Sequence, residues 1–442
     1  MDNSSSVSRR KGIRETLRFF WCRTSSVVRS LFSRKRVTWA PAETMSTQVK
    51  DEMRTSIVEA KLNLEVSDAL SSSGDYIREW EKVAEISNEG KSCKFRVASY
   101  NILCQQTLEA MPELYNHLDS TSPFFSWSHR WSIIANEIKS LDADILGLQE
   151  IPETILKEFI QPLLENLGYA ILFHEKTNEE IIHGLVIAVQ KEMFEIESHE
   201  NINFFQLEDS VLDRGNIAQI ARVTCRLTGS TLLLSNTHVV FNPFRGDTKF
   251  AQLATLFSRI HQFRRNAEPV ICLGDFNIEQ GSQLYEYITT GRLDTRFLSL
   301  RHGSGQLTLD ASLADPDEFL FDLPRTTFVH TMMDRSGMIK SRVSDVLYSL
   351  DTNLSHIFTH QLKFASVYPP SETLKISTNH ADFGNPDFIF FDAGNSSSSS
   401  LRLIRRLSLP FSLDLRDAKR WPNEKIPSDH ICLLAEFEFI GV

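Results

Sequence analysis

The stretch "PVICLGDFNIEQGSQL", residues 269–284, decides how the rest of the chain is read. Val270 to Leu273 form the apolar run of a buried strand, and the run stops on Gly274-Asp275-Phe276-Asn277. Side chains two apart on a strand share a face, so Asp275 and Asn277 stand together at its end while Phe276 points the other way. A carboxylate and an amide at the edge of a dry core make either a turn or a site.

Working outward, the same event recurs. "SYNIL" ends on Asn101, "LGLQE" on Glu150 and "LSNTH" on His238; "NPDFIFF" carries Asp387, and "IPSDH" carries Asp429 and His430. Each polar group ends or flanks an apolar run, which is costly unless the groups share a partner. Carboxylates, amides and imidazoles meeting over one sheet edge suit a hard cation with oxygen ligands, Mg²⁺ first and Mn²⁺ as an alternative. That combination points to phosphate chemistry.

The intervening segments set the fold. "FRVASYNIL" reads as a strand, "SHRWSIIANEIKSL" puts Trp131, Ile134, Ile138 and Leu141 on one helical face, and "ADILGLQE" is an apolar strand. In "IAQIARVTCRLTGSTLLLSNTH", Ala221, Val223, Cys225 and Leu227 alternate with polar residues before Thr-Gly-Ser and a second strand, a hairpin pattern. "GDTKFAQLATLFSRIHQF" is a helix. The rhythm implies an α/β fold, a two-sheet β-sandwich flanked by helices. Residues 292–362 read as a long insertion or lid, and "NSSSSS" at 395–400 as a loop tip.

Three regions are expected: a basic tail or targeting segment at 1–40, a polar linker at 41–94 with one helix around "DYIREWEKVAEI", and the catalytic domain at 95–442, with no core before about residue 94. Residues 1–40 hold ten Lys and Arg against Asp2 and Glu15, a net of +8, so the rest of this chain of net charge −10 carries −18. An acidic body attracts a polyanion only through bound cations and a local basic patch. No apolar run approaches the roughly 20 residues of a membrane span. The six cysteines lack a CxxC pair, which argues against a disulfide framework or structural zinc and for a reducing compartment. A cytoplasmic monomer is the expectation, with a mitochondrial or nuclear address through the basic segment as the alternative.

In this order, the motifs resemble those of the endonuclease/exonuclease/phosphatase superfamily, and within it the Angel subgroup of the carbon-catabolite-repression-type deadenylase relatives. The resemblance rests on "ASYNILCQQTLEAMPELY", "DADILGLQEI", "SNTHVVFNPFRGDTKFAQLA", "GDFNIEQGSQLYEYITTGRL" and "LRLIRRLSLPFSLDL" before "SDH". It implies a DNase I-like fold in which Glu150, supported by Asn101, holds the catalytic Mg²⁺, while Asp275, Asn277 and Asp429 complete the cation site and orient the attacking water. It also implies that His430, held by Asp387, handles the proton at the scissile phosphate, and that His238 bonds a phosphoryl oxygen. Two positions depart from the pattern: His183 in "IIHGLVIAV" replaces an acid, and Gly215 in "LDRGN" replaces another, with Asn216 retained. His183 reads as an ordinary strand-end histidine.

For the substrate, Asn216, Arg245 and Lys249 stand near His238 in sequence, and Arg402, Arg405 and Arg406 form a second cluster that is either a phosphate rim or a solvated basic face. Phe241, Phe244 and Phe383 are candidates for stacking bases. The expected activity is metal-dependent hydrolysis at RNA 3′ ends, as a 3′–5′ exoribonuclease or a 2′,3′-cyclic phosphate hydrolase, on single-stranded RNA and beside translation or RNA-processing factors. A phosphatase of small phosphorylated metabolites, or a non-catalytic RNA- or translation-factor-binding protein, are the competing readings.

Overall fold

The computed structural model describes residues 78–85, 93–177, 179–206, 211–266, 268–306, 357–370, 375–380, 383–394, 400–412 and 419–440. The strands of the two main sheets, in chain order, are β1 (Trp80–Lys82), β2 (Cys93–Asn101), β3 (Ile145–Ile151), β4 (Tyr169–Glu175), β5 (Gly184–Gln190), β6 (Phe194–Asn203), β7 (Ile217–Cys225), β8 (Thr231–His238) and β9 (Val270–Asp275). They continue with β10 (Ala365–Ser366), β11 (Asp387–Asp392), β12 (Ser400–Leu407) and β13 (Leu433–Ile440). One sheet has the order β1-β12-β13-β2-β3-β5-β4 and the other β10-β11-β9-β8-β7-β6. The helices that matter here are α1 (Trp127–Leu141), α2 (Gly246–Phe263) and α3 (Gln283–Thr290).

The two-sheet sandwich is as expected, and so is the β7–β8 hairpin, turned at Gly229 with φ +74°. Between the sheets lies an apolar layer from both inner faces, including Phe95, Ile187, Val223, Leu234 and Phe437. A second layer, including Phe250, Phe257 and Leu284, seats α2 and α3 on the outer face of the second sheet. Burial of this kind is the main favourable term in folding. On α1, Ile134, Ile138 and Leu141 are buried as their spacing requires, while Trp131 is only half-buried and stacks on Trp127 at 5.9 Å.

Within the segment 75–86 expected as a helix, the described residues 78–85 form none: Trp80–Lys82 is an edge strand paired with Leu407–Arg405 of β12. The indole of Trp80 lies under the guanidinium of Arg405 at 4.3 Å and near that of Arg96 at 5.7 Å, a tertiary anchor that outweighs a marginal local helix preference. Cys93, at the start of β2, is buried, in keeping with a core that starts at about residue 94. Leu227, expected inward, is exposed because β7 ends at Cys225 and the turn begins there. The insertion at 292–362 is closed at its base by Arg292–Asp294 pairing with Ile357–Thr359. Its middle, like the tail at 1–40 and most of the 395–400 tip, lies outside the described residues. The five described cysteines are free and buried. Among the described residues, no helix is long and apolar enough to cross a membrane.

Register places the site. β8 and β9 run parallel with His238 opposite Asp275, and β11 runs antiparallel to β9 with Asp387 opposite Asp275. Gly274 permits this at φ +140°, since a Cβ there would meet the Thr237 carbonyl at 2.0 Å. In the first sheet, β2 and β3 run parallel, so Asn101 and Glu150 finish at the same edge.

Candidate active site

All eight strand-end groups are buried at this common edge. The Asn101 amide bridges two carboxylates, its Nδ2 donating to Glu150 Oε1 and Asp275 Oδ2 at 3.1 Å each. Cys104 N donates to the other Glu150 oxygen at 2.8 Å. Glu150 lies within a register shift in β3, between Leu148 and Ile151, and has φ +64°, and Asn277 has φ +51°. Left-handed backbone at a glutamate costs on the order of 1–3 kcal/mol and persists only where its surroundings impose it. Asp275 and Asn277 turn out to be a turn and a site together, because Asn277 N donates to Asp275 Oδ1 at 3.0 Å.

Asp387 stands behind His430, its Oδ2 at 2.8 Å from His430 Nδ1 and accepting from Ser377 Oγ at 2.5 Å. The far ring nitrogen, Nε2, is 3.8 Å from Asp275 Oδ2 and 3.9 Å from Asp429 Oδ1. Burial works against the imidazolium, but Asp387, Asp429 and Asp275 together hold the His430 pKa well above its ordinary value. His238, with Nε2 at 3.5 Å from Asp275 Oδ2, goes the other way: burial, then Lys176 and His430, push it down to about 3.

The carboxylates show the converse strain. Burial and then Asp387 push Asp275 up to about 7, and burial and then Asp429 raise Glu150. Buried oxygens crowded this way fit a divalent cation, which relieves both the desolvation and the repulsion. Glu150, Asp275 and Asp429 face a cleft of about 760 Å³ and are the residues that would hold it. Asn101 supports Glu150 as expected, and both amides are engaged with their neighbours. Asn101 uses its NH₂ on the carboxylates and its Oδ1 on Leu103 N, and Asn277 donates Nδ2 to Val239 O while its Oδ1 accepts from Gln306. Both fix the turn geometry around the carboxylates.

The substrate residues divide. Asn216 lines the cleft, but its Nδ2 donates to the His238 carbonyl at 3.0 Å, so it positions that histidine. Arg245 is not brought to the cleft lining: it precedes α2, and Asp213 and Asp247 engage its guanidinium at 3.2 and 3.0 Å. Lys249 is fully buried, with Nζ donating to Asn277 O at 2.7 Å and to Gln306 Oε1, and burial lowers its pKa to about 7. The second basic cluster is neither a rim nor a free face, because Arg402, Arg405 and Arg406 pair with Glu438, Glu436 and Glu81 at 2.6, 2.7 and 2.9 Å. Phe241 and Phe383 line the cleft and are exposed; Phe244 lies outside that lining, under Arg301 at 5.2 Å.

Sequence reasoning missed several members. Tyr115 donates its hydroxyl to Asp429 Oδ2 at 2.8 Å, and Lys176 lines the cleft near Glu150. Arg130, completely buried on α1, donates to the carbonyls of Pro427, Ile102 and Leu103 at 2.5, 2.6 and 2.6 Å and to Gln105 Oε1 at 2.8 Å, tying together the loops that carry Asn101 and Asp429. An arginine inside the apolar stripe of an amphipathic helix was the available signal. At the departures, His183 is buried with its ring stacked on His238, centroids 5.6 Å apart, and a Cβ at Gly215 would meet the Thr177 carbonyl at 2.1 Å.

Residues 98–430 match the model of the Endonuclease/Exonuclease/phosphatase family. The chain belongs to that family. Among curated relatives, human protein angel homolog 2 is 30% identical over 377 residues, covering 78% of this chain and 69% of its own length. The yeast CCR4-Not complex 3′-5′-exoribonuclease subunit Ccr4 is 27% identical over 379 residues, 78% of this chain and 39% of its own. Among solved structures, ANGEL2, described as a 2′,3′-cyclic phosphatase in complex with adenosine-2′,3′-vanadate, superposes with a TM-score of 0.68 at 30% identity, covering 83% of this chain and 99% of that one. The family's DNase I-like, two-sheet fold and the Angel-type resemblance both stand.

Proposed function

We propose that this family member is a divalent-metal-dependent hydrolase of phosphate esters at RNA 3′ ends, with the 2′,3′-cyclic phosphate as its preferred group and Mg²⁺ as its ion. The observation that carries the reading is the convergence of the Glu150–Asn101–Asp275 cluster with the Asp387–His430 pair across one cleft. The choice of end group draws on the likeness to ANGEL2 and its nucleoside vanadate complex.

A cation held by Glu150, Asp275 and Asp429 supplies positive charge for the phosphate oxygens and a more acidic attacking water. Asp275 orients that water through its buried Oδ2. His430, kept protonated by Asp387, gives its Nε2 proton to the departing ribose oxygen as the P–O bond breaks, while the water's hydroxyl becomes part of the resulting monoester and its other proton leaves to the solvent of the cleft. His238, uncharged, bonds a phosphoryl oxygen. Outcomes separate on 5′-labelled RNA ending in hydroxyl, linear phosphate or cyclic phosphate, with Mg²⁺ or chelator. Conversion of the cyclic end without shortening, absent in Glu150→Ala, is expected; no conversion in any wild-type lane sinks the proposal.

Exonucleolytic shortening is the second reading. The exposed rings of Phe241 and Phe383 on the cleft favour it, since successive bases stack on such surfaces. A ladder of products in the same assay would move it to the front.

A further inference from the structure

We propose that Glu150, His183 and His238 form a two-imidazole, one-carboxylate cation position that prefers a borderline transition ion of the Zn²⁺ or Co²⁺ class over Mg²⁺. This deepens the reading above, since Glu150 is shared with the catalytic centre. One ligand atom from each of the three lies within 4.8 Å of the others. All three residues are nearly enclosed, with Glu150 and His183 8% exposed and His238 9%. The two rings lie side by side at an interplanar angle of 24°. His238 Nδ1 is enclosed and has no hydrogen-bond partner, which leaves that nitrogen free to ligate.

The groups are also held from behind, as ligating residues usually are. Asn101 and the Cys104 amide fix Glu150, and Asn216 fixes the His238 backbone. His183 sits directly before Gly184, where a Cβ would meet the His174 carbonyl at 2.4 Å, so the strand start is tightly placed. Nitrogen donors favour Zn²⁺ and its neighbours, whereas Mg²⁺ prefers oxygen. Lys176 stands on the same wall with Glu179 and Glu150 as its counter-charges.

The test uses the full chain stripped of metal and titrated with Co²⁺ alone, read by the visible absorption of the bound ion, then challenged with Mg²⁺. Wild-type protein is expected to show nitrogen-ligated Co²⁺ bands that a ~100-fold excess of Mg²⁺ leaves in place. His183→Gln should weaken Co²⁺ binding by about 10-fold or more. His183→Asp, which restores an oxygen donor, should make Mg²⁺ an effective competitor. Unchanged Co²⁺ bands and affinity in both folded variants overturn the proposal, as does displacement by equimolar Mg²⁺ in the wild type. Loss of RNA hydrolysis with every ion, while the Co²⁺ results hold, sinks the proposed function and spares the site.

Discussion

His430 Nδ1 lies 2.8 Å from Asp387 Oδ2, although the two residues are 43 positions apart and enter the edge from different sheets. The pairing leaves Nε2 facing Asp275 and Asp429, so one ring nitrogen is anchored and the other is presented to the cleft. Replacing the carboxylate by an amide, Asp387→Asn, keeps the shape and removes the charge that favours the imidazolium. Activity should fall by about 100-fold or more. The His430 pKa is raised in the native protein, so its loss moves the alkaline limb of the pH–kcat profile to lower pH. An unchanged profile would remove His430 as the proton donor.

Tyr115→Phe deletes the phenolic donor to Asp429 Oδ2, at 2.8 Å, and leaves that buried carboxylate oxygen short of a partner. The cost should be about 1–3 kcal/mol in stability. Divalent-ion affinity should change by roughly 10-fold. Calorimetric titration of the ion and a urea melt read the two effects separately.

Arg130→Met removes a guanidinium that serves three backbone carbonyls and one side-chain oxygen in the interior. Leaving several buried acceptors unpaired should destabilise the fold by at least ~3 kcal/mol. A urea midpoint equal to that of the wild type contradicts the assignment of Arg130 as the tie between the Asn101 and Asp429 loops.

Glu268 pairs with Arg222 at 2.9 Å, both buried. Burial alone raises the carboxyl, but the Arg222 and Arg265 hydrogen bonds outweigh it, and the folded pKa lies below the ordinary 4.5. Its contribution is therefore present in full above the unfolded value and is lost as pH falls through the depressed folded one. Glu268→Gln should lower stability by about 3 kcal/mol at pH 7, and the gap between variant and wild type should shrink as pH falls below the ordinary carboxylate value. Thermal melts across pH check the convergence.

Phe241→Ala should raise KM for RNA about 10-fold while kcat changes little, because a stacked base is worth about 1–3 kcal/mol. An equal fall in kcat would place the ring in the chemistry instead.

The strand-end groups were legible in the sequence for a physical reason. A run such as Val270–Leu273 must be buried, so a polar side chain that stops it has to sit at the rim of the core, and eight such groups in a two-sheet fold converge on one edge. That logic recovered the sandwich, the hairpin, α1 and α2, and the grouping of Asn101, Glu150, His238, Asp275, Asn277, Asp387, Asp429 and His430.

What the groups bond to was settled by tertiary structure alone. Tyr115 reaches Asp429 across 314 residues, and Arg130 reaches Pro427 across 297, contacts that no local period encodes. The arginines made the same point in reverse: Arg245 read as a phosphate binder, and Arg402, Arg405 and Arg406 as either a phosphate rim or a solvated face, whereas the fold sets Asp213 and Asp247 beside the first and Glu438, Glu436 and Glu81 beside the others. Burial is a property of the run a residue belongs to, and the sequence carries it; pairing is a property of which two runs meet, and only the folded chain decides that.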